Sequence, residues 1–423
     1  MITGRPVGAW GTAVLRAFLS AAVGTAAFAV VPASAEPVPP LAKPEAKPAD
    51  AKPADAKSAE PLFVGAGPWF NSQPLTAADL QGKVVLVDFW CYTCVNCIRT
   101  LPYINEWHDR YAKHGLVIVG VHAPEFDFER TPANVKAAVE KFKLKHPIVL
   151  DNDRAIWEAF HNRFWPAKYA FADGKDLLDE RGRLDGAETR AKFSHFGEGE
   201  YAETERKIQA LLRAKGVKAE FPEPVKPLTP LDAISERGGV CYPVTAELYA
   251  NFRGFHQGQW GSLIRPEQAH NYRGFERMFI DDIDRPIEGK AYLRGTWQVS
   301  EEYTRHARAT KDYTDSILIR YKAVEVNAVI HLHSREGEHP KPVLVKVTLD
   351  GKPLPKEKAG ADVVFEGGES FLKVSEPRMY RIVSSPEWGV HDLALWPRDD
   401  GFALYAYTFG SCLKPGVKPP AEK

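Results

Sequence analysis

Residues 84–97 read VVLVDFWCYTCVNC, and the order of residue types in this stretch decides the fold. Val84–Trp90 is a run of β-branched and aromatic residues without polar alternation, the pattern of a strand buried on both faces. Cys94 and Cys97 follow at once, one helical turn apart, and a helix is expected through Cys97–His114, stopped by Gly115. A cysteine where a strand turns into a helix meets unpaired amide N–H groups and the positive end of the helix dipole, and both favour the thiolate. Such positions bring a thiol from ~8.5 down into a range of roughly 3.5–7.5. Cys94, the more exposed of the two, is placed to attack a disulfide, and Cys97 to resolve the mixed disulfide that results.

Working outward, Leu116–Ala123 (LVIVGVHA) is a second buried strand. Thr131 followed by Pro132 reads as an N-cap and N1 proline opening a helix through Leu144. Pro147–Leu150 is a short strand, and Asp153 caps a helix to about Asn162. Asp173-Gly174 between Tyr169–Ala172 and Leu177–Arg181 predicts a hairpin, and a last helix runs over about 200–214. Strands alternating with helices and finishing in a hairpin imply an α/β domain with a mixed sheet.

Several of these residues resemble a known family. Asp88 stands six residues before Cys94 and Pro102 five after Cys97, as in thioredoxin, and the Val-Asp-Phe-Trp strand matches as well. Cys94-Val-Asn-Cys97 followed by Ile98-Arg-Thr-Leu-Pro102 resembles the TlpA/DipZ-type exported branch of thioredoxin-like thiol–disulfide oxidoreductases. The likeness continues through Gly120–Phe126, Trp165-Pro-Ala-Lys-Tyr169 and the β-rich region after residue 230, covering roughly residues 62–412. The resemblance implies an α/β thioredoxin-like domain and four roles within it. Cys94 is the nucleophile and Cys97 the resolving thiol of a Cys94–Cys97 redox disulfide. Asp88 is the buried acid–base group, the alternative being a strand-end carboxylate satisfied by a backbone amide. Pro166 is a cis-proline that exposes the backbone of Trp165 to substrate. Two features depart from thioredoxin: Thr93 replaces the usual Trp beside the nucleophile, and Val-Asn replaces Gly-Pro between the cysteines.

Glu125, in the loop after the second strand, is a further candidate for proton transfer, or else a solvated loop acid. Cys91 completes a C-x2-C-x2-C spacing. It is read as a small buried residue closing the strand, ahead of pairing with Cys94 or a metal site with His108 or His122, because a metal would consume the reactive thiols. No metal and no organic cofactor are expected, since the dithiol is itself the redox centre.

The 423 residues carry 55 Lys+Arg against 55 Asp+Glu, so no basic surplus points to nucleic acid. Apolar residues are 44% and charged residues 26%, which excludes a wholly disordered chain. Arg5, Arg16, the apolar run 17–31 and Ala33-Ser34-Ala35 read as an export signal over 1–35. Cleavage would remove two Arg and no acid, changing the formal charge from 0 to −2. A periplasmic or cell-envelope protein is expected, soluble after cleavage or tethered if the signal is retained. Residues 36–60 repeat Lys-Pro-Ala-Asp and read as an extended spacer. The thioredoxin-like domain is placed at 61–216, a proline-rich linker at 217–230, and a disordered tail at 416–423.

Residues 231–415 hold short alternating segments: Ala291–Val299, Ser316–Tyr321, Asn327–His333, Val343–Leu349, Arg378–Val383, Val390–Trp396 and Phe402–Phe409. They predict an all-β, jelly-roll-like sandwich. Cys241 and Cys412 lie near its two ends and are expected to form a structural disulfide, worth roughly 4–5 kcal/mol on the chain-entropy model. Its many aromatics, among them Tyr292, Trp297, Trp388, Tyr405 and Tyr407, and the loops Asn251–Gly254 and Asn271–Gly274, offer glycan binding as a second reading of this region beside simple core packing.

The expected activity is thiol–disulfide exchange with disulfide-bearing client proteins, and the resemblance implies a membrane electron donor of the CcdA/DsbD type. Two other readings stand beside it: a glycan- or envelope-binding protein using the thioredoxin domain as a scaffold, and a thiol peroxidase. The second lacks a P-x-x-x-T-x-x-C stretch before the nucleophile.

Overall fold

The computed structural model describes residues 62–63, 67–228, 232–233, 240–252, 254, 257, 259, 276–280, 286–333 and 341–413. The predicted export signal, the spacer, the tail and the 271–274 loop lie outside them. Among the described residues, no helix is long and apolar enough to cross a membrane.

The α/β part is a six-stranded mixed sheet. Its strands are β1 (Trp69–Phe70), β2 (Val84–Trp90), β3 (Leu116–His122), β4 (Ile148–Leu150), β5 (Ala167–Phe171) and β6 (Phe193–Phe196), in the order β1-β4-β3-β2-β5-β6. β2 lies parallel to β3 and antiparallel to β5. All seven residues of β2 are buried, six of them apolar and the seventh Asp88. The helices are α1 (Ala77–Leu80), α2 (Val95–Tyr111), α3 (Pro132–Lys141), α4 (Ala155–Ala159) and α5 (Tyr201–Ala214). α2 passes into a 3₁₀ turn that ends at Gly115, whose φ of 94° suits a residue without Cβ. Pro132 opens α3 at its first position, although the Thr131 side chain makes no capping bond.

Two local expectations are corrected. Asp173-Gly174 does not turn a hairpin. The Asp173 carboxylate accepts from the amides of Lys175 and Gly82, starting a 3₁₀ turn over Gly174–Leu177, and the partner of β5 is β6. The N-cap position of α4 is Arg154 and not Asp153, and the first-turn amides of Ile156 and Trp157 donate instead to the Asp151 carboxylate at 3.0 and 2.7 Å.

The proline-rich stretch 217–228 is laid down on the α/β part. Buried Glu205 of α5 accepts from the Val225 amide, the Tyr111 hydroxyl and the Trp107 indole, and the Tyr103 hydroxyl accepts from the Leu228 amide.

The β-rich region is a large all-antiparallel sheet. Its strands are β8 (Leu248–Tyr249), β9 (Glu276–Ile280), β10 (Lys290–Val299), β11 (Thr304–His306), β12 (Ser316–Leu332), β13 (Val343–Leu349), β14 (Lys352–Pro353), β15 (Val363–Glu366), β16 (Glu369–Val374), β17 (Arg378–Trp396) and β18 (Phe402–Gly410). Two pairs of predicted strands are each one long strand, β12 and β17. Along its first part β12 pairs with β10, along its second with β18, and β17 follows it throughout with register shifts between Ala323 and Asn327. These irregularities let one sheet bend around its core. Trp297, Tyr292, Trp388, Tyr405 and Tyr407 are buried there, so they pack the interior and offer no stacking face to a sugar. β7 (Val240–Cys241) pairs with β19 (Cys412–Leu413), and the Cys241–Cys412 disulfide ties these outer strands together.

The two parts share a core. Phe126 and Phe128, in the loop after β3, set their rings against Tyr405 of β18 at 5.1 and 4.8 Å, beside Met379 and Ala406. Arg99 of α2, largely buried, bridges Glu198 at 3.1 Å and Glu325 of β12 at 2.5 Å.

The Cys241–Cys412 bond closes a sequence separation of 171 residues, for which loop-closure entropy gives a stabilisation of about 5 kcal/mol. Replacing both cysteines by Ser is expected to lower the midpoint of urea unfolding clearly. An unchanged midpoint would rule out the clasp as a stabilising element.

Candidate active site

Cys94 is the N-cap residue of α2, and its sulfur accepts from the Cys97 amide at 3.2 Å. Cys94 is partly exposed, whereas Cys91 and Cys97 are buried, and all three are free thiols. The electrostatics separate them. Hydrogen bonds from the Cys91 thiol, then from the Cys97 thiol and nearby amides, hold Cys94 well below the usual thiol range, against the opposing effect of burial. Burial pushes Cys97 well up. Cys91 is also pushed well up, chiefly because it donates to Cys94. Cys91 is thus a buried residue at the end of β2, as expected, and also a hydrogen-bond donor to the candidate nucleophile.

Asp88 is buried in β2, and its Oδ1 has no hydrogen-bond partner among the described residues. Burial raises it to about 7; Lys168 opposes the shift and Cys94 adds to it. Lys168 of β5 sits directly opposite Asp88 in the register and is equally buried, and its ammonium is lowered first by desolvation. In the next strand His195 stands opposite Lys168, and its ring lies 3.6 Å from Glu200 at the surface. A row of ionisable groups therefore crosses three strands from beneath the dithiol.

Lys168 escaped the sequence reading, although a lysine inside an apolar strand (AKYAF) was a signal for it. Glu129 escaped it too. It is fully buried, accepts from the Thr93 hydroxyl at 2.6 Å and from the amides of Glu125 and Phe126, and burial raises it to about 7. The alternation Glu-Phe-Asp-Phe-Glu over 125–129 gives it the look of a solvated acid. Thr93, where thioredoxins have Trp, is the anchor for this carboxyl.

The Trp165–Pro166 peptide bond is cis. The Trp165 indole donates to the Ala123 carbonyl at 3.0 Å and lies against Trp157, with the Arg154 guanidinium over it. Glu125 accepts from the Tyr249 hydroxyl of β8 at 3.0 Å. Cys94, Trp165, Glu125 and Tyr249 line one cleft of about 460 Å³, so the structure gathers these candidates. The metal reading of Cys91 finds no ligand set: His122 is stacked on Tyr92, His108 faces His146, and no group of three metal-ligating side chains occurs among the described residues.

The arrangement lowers the accessible thiol, raises its buried neighbour, and sets a buried carboxyl near neutrality in the adjoining strand. These are the requirements of stepwise sulfur exchange.

Comparison with known proteins agrees with that chemistry. Residues 66–176 match the AhpC/TSA family, and residues 264–410 match the thioredoxin like C-terminal domain. The chain is 36% identical over 355 residues, 83% of its length, to protein DipZ of Mycobacterium tuberculosis, of which it spans 42%. It is 31% identical over 111 residues, 26% of its length, to the thiol-disulfide oxidoreductase YkuV of Bacillus subtilis, of which it covers 74%. It is 38% identical over 134 residues, 31% of its length, to NHL repeat-containing protein 2 of Homo sapiens, of which it covers 16%.

Two measurements test the electrostatics. Cys91→Ala removes the leading hydrogen bond to Cys94 and is expected to slow its alkylation by iodoacetamide at pH 7 several-fold, moving the rate profile to higher pH; an unmoved profile would show that Cys91 is only filler. For Asp88, the ordinary value is 3.8 and the folded value about 7. The unfolded chain releases this proton first, so Asp88 costs the fold stability progressively as pH rises from about 4 to about 7, on the order of a few kcal/mol in all. The melting temperature of Asp88→Asn relative to the parent should therefore climb through that window, on top of any constant offset from stranding Lys168. A flat difference contradicts the raised value.

Proposed function

This chain belongs to the thioredoxin-like thiol–disulfide oxidoreductases, and from that premise we propose that it reduces disulfides of exported client proteins through Cys94 and Cys97. The observation that carries the reading is the contrast between the two sulfurs: Cys94 partly exposed and held low, Cys97 buried and held high.

The Cys94 thiolate attacks one sulfur of the client disulfide. The client S–S bond breaks, a Cys94–client bond forms, and the leaving client sulfur departs as a thiolate that takes a proton. Cys97 loses its proton to the Asp88 carboxylate, whose value near 7 suits it to hold that proton. The Cys97 thiolate then attacks Cys94, releasing the second client thiol and leaving a Cys94–Cys97 disulfide. Two electrons have passed to the client, and a dithiol donor must return them. Trp165 and Pro166 are the proposed substrate-side contacts, and Glu125 a further carboxylate beside the reacting sulfur.

The donor is proposed to be a membrane carrier of the CcdA/DsbD type, and the compartment the periplasm or cell envelope. Arg5, Arg16, the apolar run and Ala33-Ser34-Ala35 support export. The proposed organisation is the thioredoxin-like domain at 61–216 and the β-rich domain at 231–415.

Trapping tests the reading. Cys97→Ser should accumulate client proteins in mixed disulfides on Cys94 that dithiothreitol releases, and the Cys94→Ser, Cys97→Ser double variant should trap none. Equal recovery from both variants would sink the exchange mechanism.

A further inference from the structure

The cleft over Cys94 has a second wall that the α/β fold does not supply. Thr93, Cys94, Glu125 and Trp165 form one side; Val244, Glu247, Tyr249, Val329 and Phe409 of the β-rich region form the other. This wall is fixed on both flanks. On one, Phe126 and Phe128 share a buried cluster with Tyr405, the Tyr249 hydroxyl donates to Glu125, and the Asp127 amide donates to Glu302 at 2.9 Å. On the other, Arg99 bridges to Glu325. Separating the walls would expose apolar rings and take Glu325 from the largely buried Arg99, so the wall behaves as part of the core.

Size then decides what reaches Cys94. At about 460 Å³ the cleft falls within the ~300–1,000 Å³ of sites that enclose small ligands. A stable protein–protein contact needs about 800 Å² from each partner over a broad face. A single extended strand enters such a cleft; a disulfide set in the surface of a folded domain brings its neighbouring surface against the second wall. We propose that the β-rich region acts as a selectivity wall and restricts exchange to disulfides carried on extended, unfolded peptide segments. The wall excludes the disulfides of folded surfaces. The chemistry is the exchange already described: the segment's S–S bond is replaced by a bond to Cys94, and its leaving sulfur departs as a thiolate.

This inference rests on the dithiol reading of Cys94 and Cys97. Its test uses the full chain in the reduced form and a matched pair of substrates: a folded protein with a solvent-exposed disulfide, and the short proteolytic fragment carrying the same disulfide. Single-turnover oxidation of the dithiol, followed by tryptophan fluorescence, should be at least tenfold faster with the fragment. Tyr249→Ala and Glu247→Ala, which cut back the wall, should each shrink that ratio several-fold, with a thermal melt showing that each variant folds. The ratio on the unaltered chain needs no variant. A ratio under tenfold, or one that folded wall variants leave unchanged, overturns the selectivity wall while the exchange mechanism stands. A chain that reacts with neither substrate, nor with an aromatic disulfide small enough for any cleft, overturns the dithiol reading and this inference with it.

Discussion

A sulfur anion in a half-buried position survives only if donors replace the water it has lost, and the rest of this site follows from that constraint. Cys94 meets it with two neighbouring thiols and the first amides of α2. Each donor is placed by another part of the chain: Cys91 by the end of β2, Cys97 and the amides by the helix that β2 feeds. The same low-dielectric setting that would penalise an unsolvated thiolate strengthens these bonds. It also pushes Cys97 up and brings Asp88 to about 7, so one physical condition bears on three titrating groups.

The β-rich region works on this site from outside. Tyr292, Trp297, Trp388, Tyr405 and Tyr407 are spent on packing, and the region meets the α/β part through Tyr405 and Tyr249. Because Phe126 and Phe128 come from the loop that also carries Glu125 and Glu129, the shared core and the lining of the cleft are one structure. A change in that loop would be felt in packing and in chemistry together.

What the sequence made legible was mostly local. The apolar residues of β2, the glycine after α2 and the Thr131-Pro132 pair mark their elements because each signal acts within a few residues. The Asp173-Gly174 signal misled because an Asx-type cap starts a 3₁₀ turn as readily as a hairpin, and the true partner strand, β6, is remote. The division of β17 at Val383 and Val390 was half right: Ser384 and Gly389 pair with Glu325 and Ala323, and the residues between have no partner on β12, yet the strand resumes. In the site, the cysteines, Asp88 and the Trp-Pro pair were readable from spacing and resemblance. Lys168 and Glu129 were not singled out, since their burial is a tertiary fact that residue type argues against.

The chain carries its clasp and its free thiols in one molecule, and their order along it has a consequence for how the protein matures. Cys91, Cys94 and Cys97 are synthesised before Cys241, and Cys412 follows Cys241 only after 171 further residues. Any oxidase acting before Cys412 is made meets three close sulfurs and a Cys241 whose structural partner is still missing. A faithful product therefore depends on the first half sheltering Cys91 and Cys97 before the last strand arrives, which makes burial a safeguard during biosynthesis as well as a source of reactivity afterwards.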